Sequence, residues 1–278
     1  MNRMPTFYLS HGGGPWPWME GSFGKMFEKL GKSLQELAPS LPERPKAVLM
    51  ISGHWENPEF ALASHPNPPM YYDYEGFPEH TYHVKYPAPG SPALAERVRA
   101  LLAAGGVAAK LDPDRGFDHG AFTVMAVAFP EADIPVVQLS LRQDYDPAAH
   151  IALGRMLAPL RDEGVLIIGS GVSFHNFGKY NPEGTVPSQQ FDAWLQKTLT
   201  ASSPAEREAQ LTRWTEAPAA RVAHPQEDHL LPLMVAVGAG LDDPGMCVYH
   251  DEAMFGSVAV SSFRFGVAVD SGAAPAAA

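Results

Sequence analysis

Residues 7–15 read Phe-Tyr-Leu-Ser-His-Gly-Gly-Gly-Pro, an apolar run that ends in a histidine followed by three glycines. With Thr6, its first part predicts a strand over Thr6–Leu9. Three further runs have the same apolar, turn-bounded character: Ala47–Ile51, Ile134–Leu139 and Val165–Ile168. Continuous apolar runs of this length are typical of strands covered on both faces, as in parallel sheets.

Helical patterns separate these runs, namely Phe23–Leu37, Ser91–Ala104, His150–Arg161 and Gln189–Thr200. Strands that alternate with helices indicate an α/β fold. We therefore predict a single domain over residues 1–270, with a mostly parallel central β-sheet flanked by helices on both faces. Residues 271–278 have low sequence complexity and are predicted to be a disordered tail.

Composition excludes several classes of function. The 278 residues carry a formal charge of −11 and no cluster of lysine and arginine, so neither nucleic acid nor an anionic membrane is an expected partner. The single cysteine, Cys247, allows no intrachain disulfide and no cysteine-rich zinc site. No signal peptide or membrane-spanning stretch is evident, so a cytoplasmic location is expected. The oligomeric state is left open.

Three histidines follow predicted strands: His11, His54 and His175. In α/β folds, functional residues gather beyond the carboxyl ends of the strands, and imidazole is a common ligand for zinc and ferrous iron. The glycines after His11 remove side chains that would obstruct the approach of substrate or water. The alternatives are a tight turn with an incidental histidine at His11, and a histidine packed on Trp55 at His54.

His229 follows two acidic residues, Glu227 and Asp228, before an apolar helical pattern. Either acid could cap that helix or orient the imidazole, and the alternative is a polar helix N-terminus without a ligand role. His224 is the weaker ligand candidate because it precedes a proline and lies outside the predicted helix.

His175 is the best candidate for a general acid or base, because its ordinary pKa of about 6.5 suits proton transfer at neutral pH. It could also bind the metal directly. His119 lies between an acid and a glycine in an aromatic loop, where it could touch a ligand or be a buried residue bonded to the backbone. The remaining histidines are predicted to be surface or structural residues: His65, His80, His83, His150 and His250.

Seven motifs occur in order along residues 5–235: LSHGGGP, ISGHWE, YPAPGSPALA, GFDHGAF, IPVVQLSL, GSGVSFHNF and EDHLLPLMVA. This set resembles the class III extradiol ring-cleavage dioxygenase family, in its DOPA 4,5-dioxygenase-like branch. The resemblance implies an α/β domain that binds one divalent metal ion, usually Fe(II) and sometimes Zn(II) as isolated.

The resemblance also implies roles for particular residues. It places metal ligands at His11, His54 and His229, and the catalytic histidine at His175, which some members use as a fourth ligand. His119 is placed beside the substrate, with Gly12 and Gly13 leaving room for it. The better-known protocatechuate-type branch uses two histidines and a glutamate, whereas this chain has His229 at the third position.

The implied function is ring cleavage of a catechol-type substrate, a small aromatic diol, by O2. A zinc-dependent hydrolase and a non-catalytic metal-binding protein are alternatives that use the same histidines. The aromatic stretch over residues 71–86, YYDYEGFPEHTYHVKY, either covers a flat ring or packs as a long loop.

Overall fold

Four adjacent parallel strands form the centre of an eight-stranded sheet in the computed structural model, which describes residues 3–266. The strands are β1 (Thr6–Ser10), β2 (Ala47–Asn57), β3 (Phe60–Ala63), β4 (Ala109–Asp112), β5 (Val136–Arg142), β6 (Val165–Gly171), β7 (Gly245–Met254) and β8 (Val258–Phe265). Their order across the sheet is β4-β3-β5-β2-β6-β1-β8-β7. The central strands β5, β2, β6 and β1 pair in parallel, whereas β3 joins β5, and β8 joins β1 and β7, in antiparallel fashion.

Helices connect and cover the strands. They are α1 (Gly21–Met26), α2 (Glu28–Gln35), α3 (Pro92–Ala104), α4 (His119–Ala128), α5 (Pro147–Leu157), α6 (Pro182–Ala201), α7 (Pro204–Thr212), α8 (Ala220–Ala223) and α9 (Leu231–Ala239). Over residues 3–266, no helix is long and apolar enough to cross a membrane.

Successive residues of β6 show that helices lie on both faces of the sheet. The Ser170 hydroxyl donates to the carbonyl of Gly120 in α4 at 2.5 Å. Its neighbour Gly169 points the other way, where an added Cβ would lie 2.2 Å from the carbonyl of Pro232 in α9. Because neighbouring side chains of a strand face opposite sides, α4 and α9 cover opposite faces of β6. The predicted α/β fold is confirmed.

The predicted strands are confirmed as β1, β2, β5 and β6, with shifted ends. The helix predicted over Phe23–Leu37 is wrong as a single element. Phe27 lies outside the helical region, with φ −102° and ψ 8°, and separates α1 from α2 while its ring is buried. The helix predicted over His150–Arg161 begins earlier, at Pro147, and continues beyond Leu157 only as a 3-10 turn, because Pro159 has no N–H to donate.

Ser91 caps α3 as the sequence predicts, and α6 begins at Pro182, earlier than the predicted Gln189. The predicted tail over residues 271–278 lies outside the described residues, as do positions 1–2 and 267–270 of the predicted domain.

Candidate active site

His11 lies where β1 ends, beside the carboxyl end of β6. Its backbone N–H donates to the carbonyl of Gly171 at 3.1 Å, which continues the pairing of the two strands. Its carbonyl accepts the indole N–H of Trp16 at 2.8 Å. The imidazole is buried, and neither Nδ1 nor Nε2 has a hydrogen-bond partner. A buried imidazole with two unsatisfied nitrogens is costly unless something binds it, so this ring fits a ligand role.

Besides removing side chains near His11, the glycines that follow it meet a conformational and packing requirement that the sequence did not indicate. Gly12 and Gly14 have φ of +78° and +51°, in the left-handed region. An added Cβ would lie 2.6 Å from the Trp16 ring at Gly12 and 2.5 Å from the Phe77 ring at Gly14. Aromatic side chains of the chain itself therefore fill the space that these glycines leave.

His54 and His229 meet beside His11. The Nε2 atoms of His54 and His229 are 3.1 Å apart, a distance at which two neutral imidazoles either share one proton or jointly coordinate a cation. The three residues each offer one ligand atom, and these atoms lie within 4.8 Å of one another. The structure thus brings together the three histidines predicted as ligands, and this donor set suits a divalent ion such as zinc or ferrous iron.

Burial keeps these imidazoles neutral. It lowers the pKa of His11 and His229 well below the ordinary value of 6.5, and nearby histidines lower both further. Burial and the adjacent His119 lower the pKa of His54 to about 3. A neutral imidazole has a free lone pair, which is the form that binds a metal.

Asp228 orients His229. Its Oδ2 is 2.7 Å from His229 Nδ1, and burial raises the pKa of Asp228 to about 7. Of the two roles that the sequence allowed for this acid, the structure supports orientation. The helix α9 begins three residues after Asp228, at Leu231, and its N-cap residue Leu230 makes no side-chain cap.

His119 lies at the first position of α4 and not in a loop, which corrects the sequence prediction. Asp118 caps the helix by accepting the N–H of Ala121 at 3.1 Å. The Asp73 carboxylate accepts the backbone N–H of His119 and lies 2.9 Å from its Nδ1. Burial would raise the pKa of Asp73, but the hydrogen bonds and charge of His119 prevail and lower it to about 2. Because an ionised carboxylate only accepts, His119 Nδ1 carries the proton of this hydrogen bond.

His175 lies beyond β6, and its backbone N–H donates to the carbonyl of Ala223 at 2.9 Å. Its ring is stacked on that of His229, with centroids 3.4 Å apart and planes inclined by 13°. Burial, together with the charges of His54 and His119, lowers its pKa to about 3. It forms a possible ligand group with Asp228 and His229, which has His229 in common with the group of His11 and His54 but includes neither of those two residues.

His11, His54, His119 and His175 border a cavity of about 420 Å³, whose lining does not include His229. Its lining comprises His11, Gly12, Gly13, Gly14, Phe23, His54, Asp73, Tyr74, Phe77, His119, His175, Phe177, Tyr180 and Phe255. Within the stretch 71–86, Tyr74 and Phe77 contribute to the wall, whereas Tyr86 is buried in the core and Tyr71 is half exposed. The stretch therefore both packs as a loop and forms one side of the cavity.

Sequence reasoning missed Asp73 and Phe255. Asp73 stands between tyrosines within the quoted aromatic stretch, and an acid in that setting is a signal that could have been weighed. Phe255 lies in the turn between β7 and β8 with φ +53°, and no sequence signal that we recognise points to it.

The weaker ligand candidate His224 and the histidines predicted to be surface or structural residues do not line the cavity. His224 is fully buried, and its Nε2 contacts the carbonyl of Ser173 at 2.9 Å. His150 is buried beneath β5, where its Nε2 accepts the N–H of Arg142 at 3.2 Å.

Comparison with known proteins decides the family. A family model described as the catalytic LigB subunit of aromatic ring-opening dioxygenase matches residues 4–266. The chain belongs to this family. The predicted membership of the extradiol dioxygenases, and with it the prediction of an enzyme, is confirmed.

Individual relatives of this LigB-family chain agree in length and fold. A Beta vulgaris protein named 4,5-DOPA dioxygenase extradiol is 40% identical over 269 residues, which cover 95% of this chain and 97% of the relative. An Escherichia coli K12 protein of the same name is 32% identical, with 95% of each chain covered. The crystal structure of an uncharacterized protein from Escherichia coli K12 superposes with a TM-score of 0.77 at 31% identity, covering 95% of this chain and all of the other.

Proposed function

We propose that this chain is a metal-dependent extradiol dioxygenase that opens the aromatic ring of a catechol-type substrate with O2. The observation that carries the proposal is the cluster of His11, His54 and His229, whose ligand atoms lie within 4.8 Å of one another, with both ring nitrogens of the buried His11 unsatisfied. The names of the relatives supply the reaction class.

We propose that His11, His54 and His229 hold one divalent ion, and that Fe(II) is the ion of the active enzyme. Bound Fe(II) supplies the redox chemistry that the use of O2 requires, whereas Zn(II) has none. Asp228 orients His229 from behind, as outer carboxylates commonly orient metal-bound imidazoles.

His119 and His175 are proposed to handle protons. Asp73 holds the Nδ1 proton of His119, so Nε2 can accept the proton of a phenolic hydroxyl. His175 is neutral at pH 7 because burial lowers its pKa, which also makes it a weaker base than the ordinary imidazole expected from the sequence, and stacking on His229 fixes the plane of its ring. We favour a base over a fourth ligand for His175, because it does not share the ligand group of His11 and His54.

Gly12 and Gly13 are proposed to border the bound substrate. Both line the cavity without a side chain, so a flat ring can lie against their backbone. The aromatic rings around them exclude water from the reacting diol, which strengthens every polar interaction there.

The test is anaerobic reconstitution of metal-free protein with Fe(II), and in parallel with Zn(II), before oxygen and a panel of catechols are added. We expect a yellow ring-opened product with Fe(II) and none with Zn(II). Hydrolysis of an ester panel by the zinc form, without ring opening by the iron form, would instead support a hydrolase.

Substitution of each proposed ligand by alanine provides a second arm. His11→Ala, His54→Ala and His229→Ala are each expected to lose most bound metal by elemental analysis. His224→Ala is the matched control, because His224 is as buried as His11 and His229 but does not line the cavity: its Nε2 contacts the carbonyl of Ser173 and its ring packs against Phe191 and Trp214. Full metal content in the His229 variant would assign the third ligand to another residue.

A further inference from the structure

Apart from histidines, glycines and one carboxylate, aromatic rings line the active-site cavity: Phe23, Tyr74, Phe77, Phe177, Tyr180 and Phe255. Across residues 3–266, the cavity has no lysine or arginine in its lining. A bound anion such as a carboxylate would therefore find no cationic side chain in this wall.

The polar atoms of this wall already have partners within the chain. The Tyr74 hydroxyl donates to the carbonyl of Thr81 at 2.6 Å, and the Tyr180 hydroxyl donates to that of Phe174 at 3.2 Å. These tyrosines offer a substrate their ring faces and edges more than a hydrogen-bond donor.

The single carboxylate of the lining is equally engaged. Asp73 has a side chain that is 10% exposed, its Oδ1 accepts the backbone N–H of His119, and its Oδ2 lies 2.9 Å from His119 Nδ1. An ammonium group on a substrate would have to share this nearly buried carboxylate with His119. The wall thus offers no cationic partner to a carboxylate and only a shared, nearly buried one to an ammonium group.

The rings are arranged as a surface for an apolar group. Tyr180 and Phe255 stack with centroids 4.1 Å apart, and Phe23 meets Phe77 edge-on at 5.7 Å. Phe177 is 78% exposed although it lines the cavity, and its ring meets that of His175 edge-on at 5.0 Å. An exposed aromatic ring that also lines a cavity is available to contact a ligand bound there.

We propose that the preferred substrate is a catechol whose ring carries an uncharged, apolar substituent, and that Phe177 contacts this substituent. The inference rests on the function proposed above and narrows its substrate class. It departs from the amino-acid substrate in the names of the relatives. Burial of a charged group without a partner is strongly unfavourable, whereas each apolar methylene that leaves water favours binding.

Binding is measured first, without turnover, by anaerobic calorimetry on the zinc-loaded protein. The probes are 4-methylcatechol and 4-tert-butylcatechol as neutral compounds, and protocatechuate, DOPA and dopamine as charged ones. We expect 4-tert-butylcatechol to bind more tightly than 4-methylcatechol, and each charged compound to bind at least about 10-fold more weakly than 4-methylcatechol. A charged catechol that binds as tightly as the neutral pair would overturn the inference.

Turnover by the iron-loaded protein separates this inference from the proposed function. Ring opening of the charged catechols in preference to the neutral ones would leave the dioxygenase function standing and refute the apolar substrate. Failure to bind or open any catechol would refute the dioxygenase function itself.

The role of Phe177 is tested by Phe177→Arg, with Val186→Arg as control. Val186 is also exposed, at 60%, but lies in α6 and does not line the cavity. Phe177→Arg is expected to raise the ratio of kcat/KM for protocatechuate to that for 4-tert-butylcatechol by about 10-fold or more. The control should leave this ratio unchanged, and an unchanged ratio in Phe177→Arg would overturn the assignment of Phe177.

Discussion

Gly171→Ala tests whether the end of β6 positions His229. An added Cβ at Gly171 would lie 2.1 Å from the carbonyl oxygen of His229, where real contacts exceed 3.0 Å, so the His229 backbone must move by about 0.9 Å (3.0 − 2.1). Metal–ligand distances tolerate only about 0.2 Å. Overpacking of this kind costs about 1–3 kcal/mol of folding free energy. At about 2–4 °C per kcal/mol, the melting temperature should fall by about 2–12 °C.

The assay combines thermal unfolding of the metal-free protein with metal affinity measured by competition against a chelator. We expect the affinity for the metal ion to fall by about 10- to 100-fold, which is the usual effect of altering residues that orient a metal ligand. Gly31→Ala is the control, because Gly31 is buried in α2 but an added Cβ would lie 3.4 Å from the Trp16 ring, an ordinary contact. A lower melting temperature with unchanged metal affinity would refute the link between β6 and His229.

Three further predictions use the same preparations. His175→Gln should keep its metal and still bind a catechol but lose about 10²–10⁴-fold in turnover; iron lost in proportion to activity, and restored with it by excess iron, would make His175 a ligand. If residues 71–86 cover the substrate, their amide hydrogen exchange should slow when a catechol binds, and unchanged exchange would limit the loop to packing. Burial lowers the pKa of His150, so below about pH 6.5 the unfolded chain binds a proton at this histidine that the folded chain does not bind. The free energy of unfolding therefore decreases as the pH decreases. His150→Gln should reduce the loss of unfolding free energy, measured in urea, between about pH 7 and about pH 5, and an unaltered loss would contradict this account.

The centre of the fold could be predicted because its strands are buried on both faces and therefore read as unbroken apolar runs. Of the outer strands, β3 is a buried apolar run of only four residues, and the other three carry no such signal. β4 is short and only partly buried, and β7 has an exposed Glu252. β8 is buried throughout, yet buried serines and Arg264 interrupt its apolar pattern. Polar residues that are satisfied by tertiary contacts look like surface residues in the sequence.

The residues of the candidate site that could be predicted are those that follow a predicted strand. His11 and His54 follow from this rule, although β2 continues past His54 to Asn57 with a register shift between Ile51 and Glu56. Asp73 could not be found in this way, because its partner His119 is 46 residues distant in the chain. The pairing exists only after the loop and α4 have packed together.

The distance along the chain between β1 and the segment before α9 has a consequence for the order of assembly. The Tyr8 hydroxyl donates to the carbonyl of His229 at 2.7 Å across a separation of 221 residues. Closing so long a loop is a slow step of folding. A chain emerging from the ribosome has neither His229 nor its contact with β1 until most of the domain has been synthesised. The three imidazoles can therefore come together only after about four-fifths of the chain, up to His229, has been synthesised.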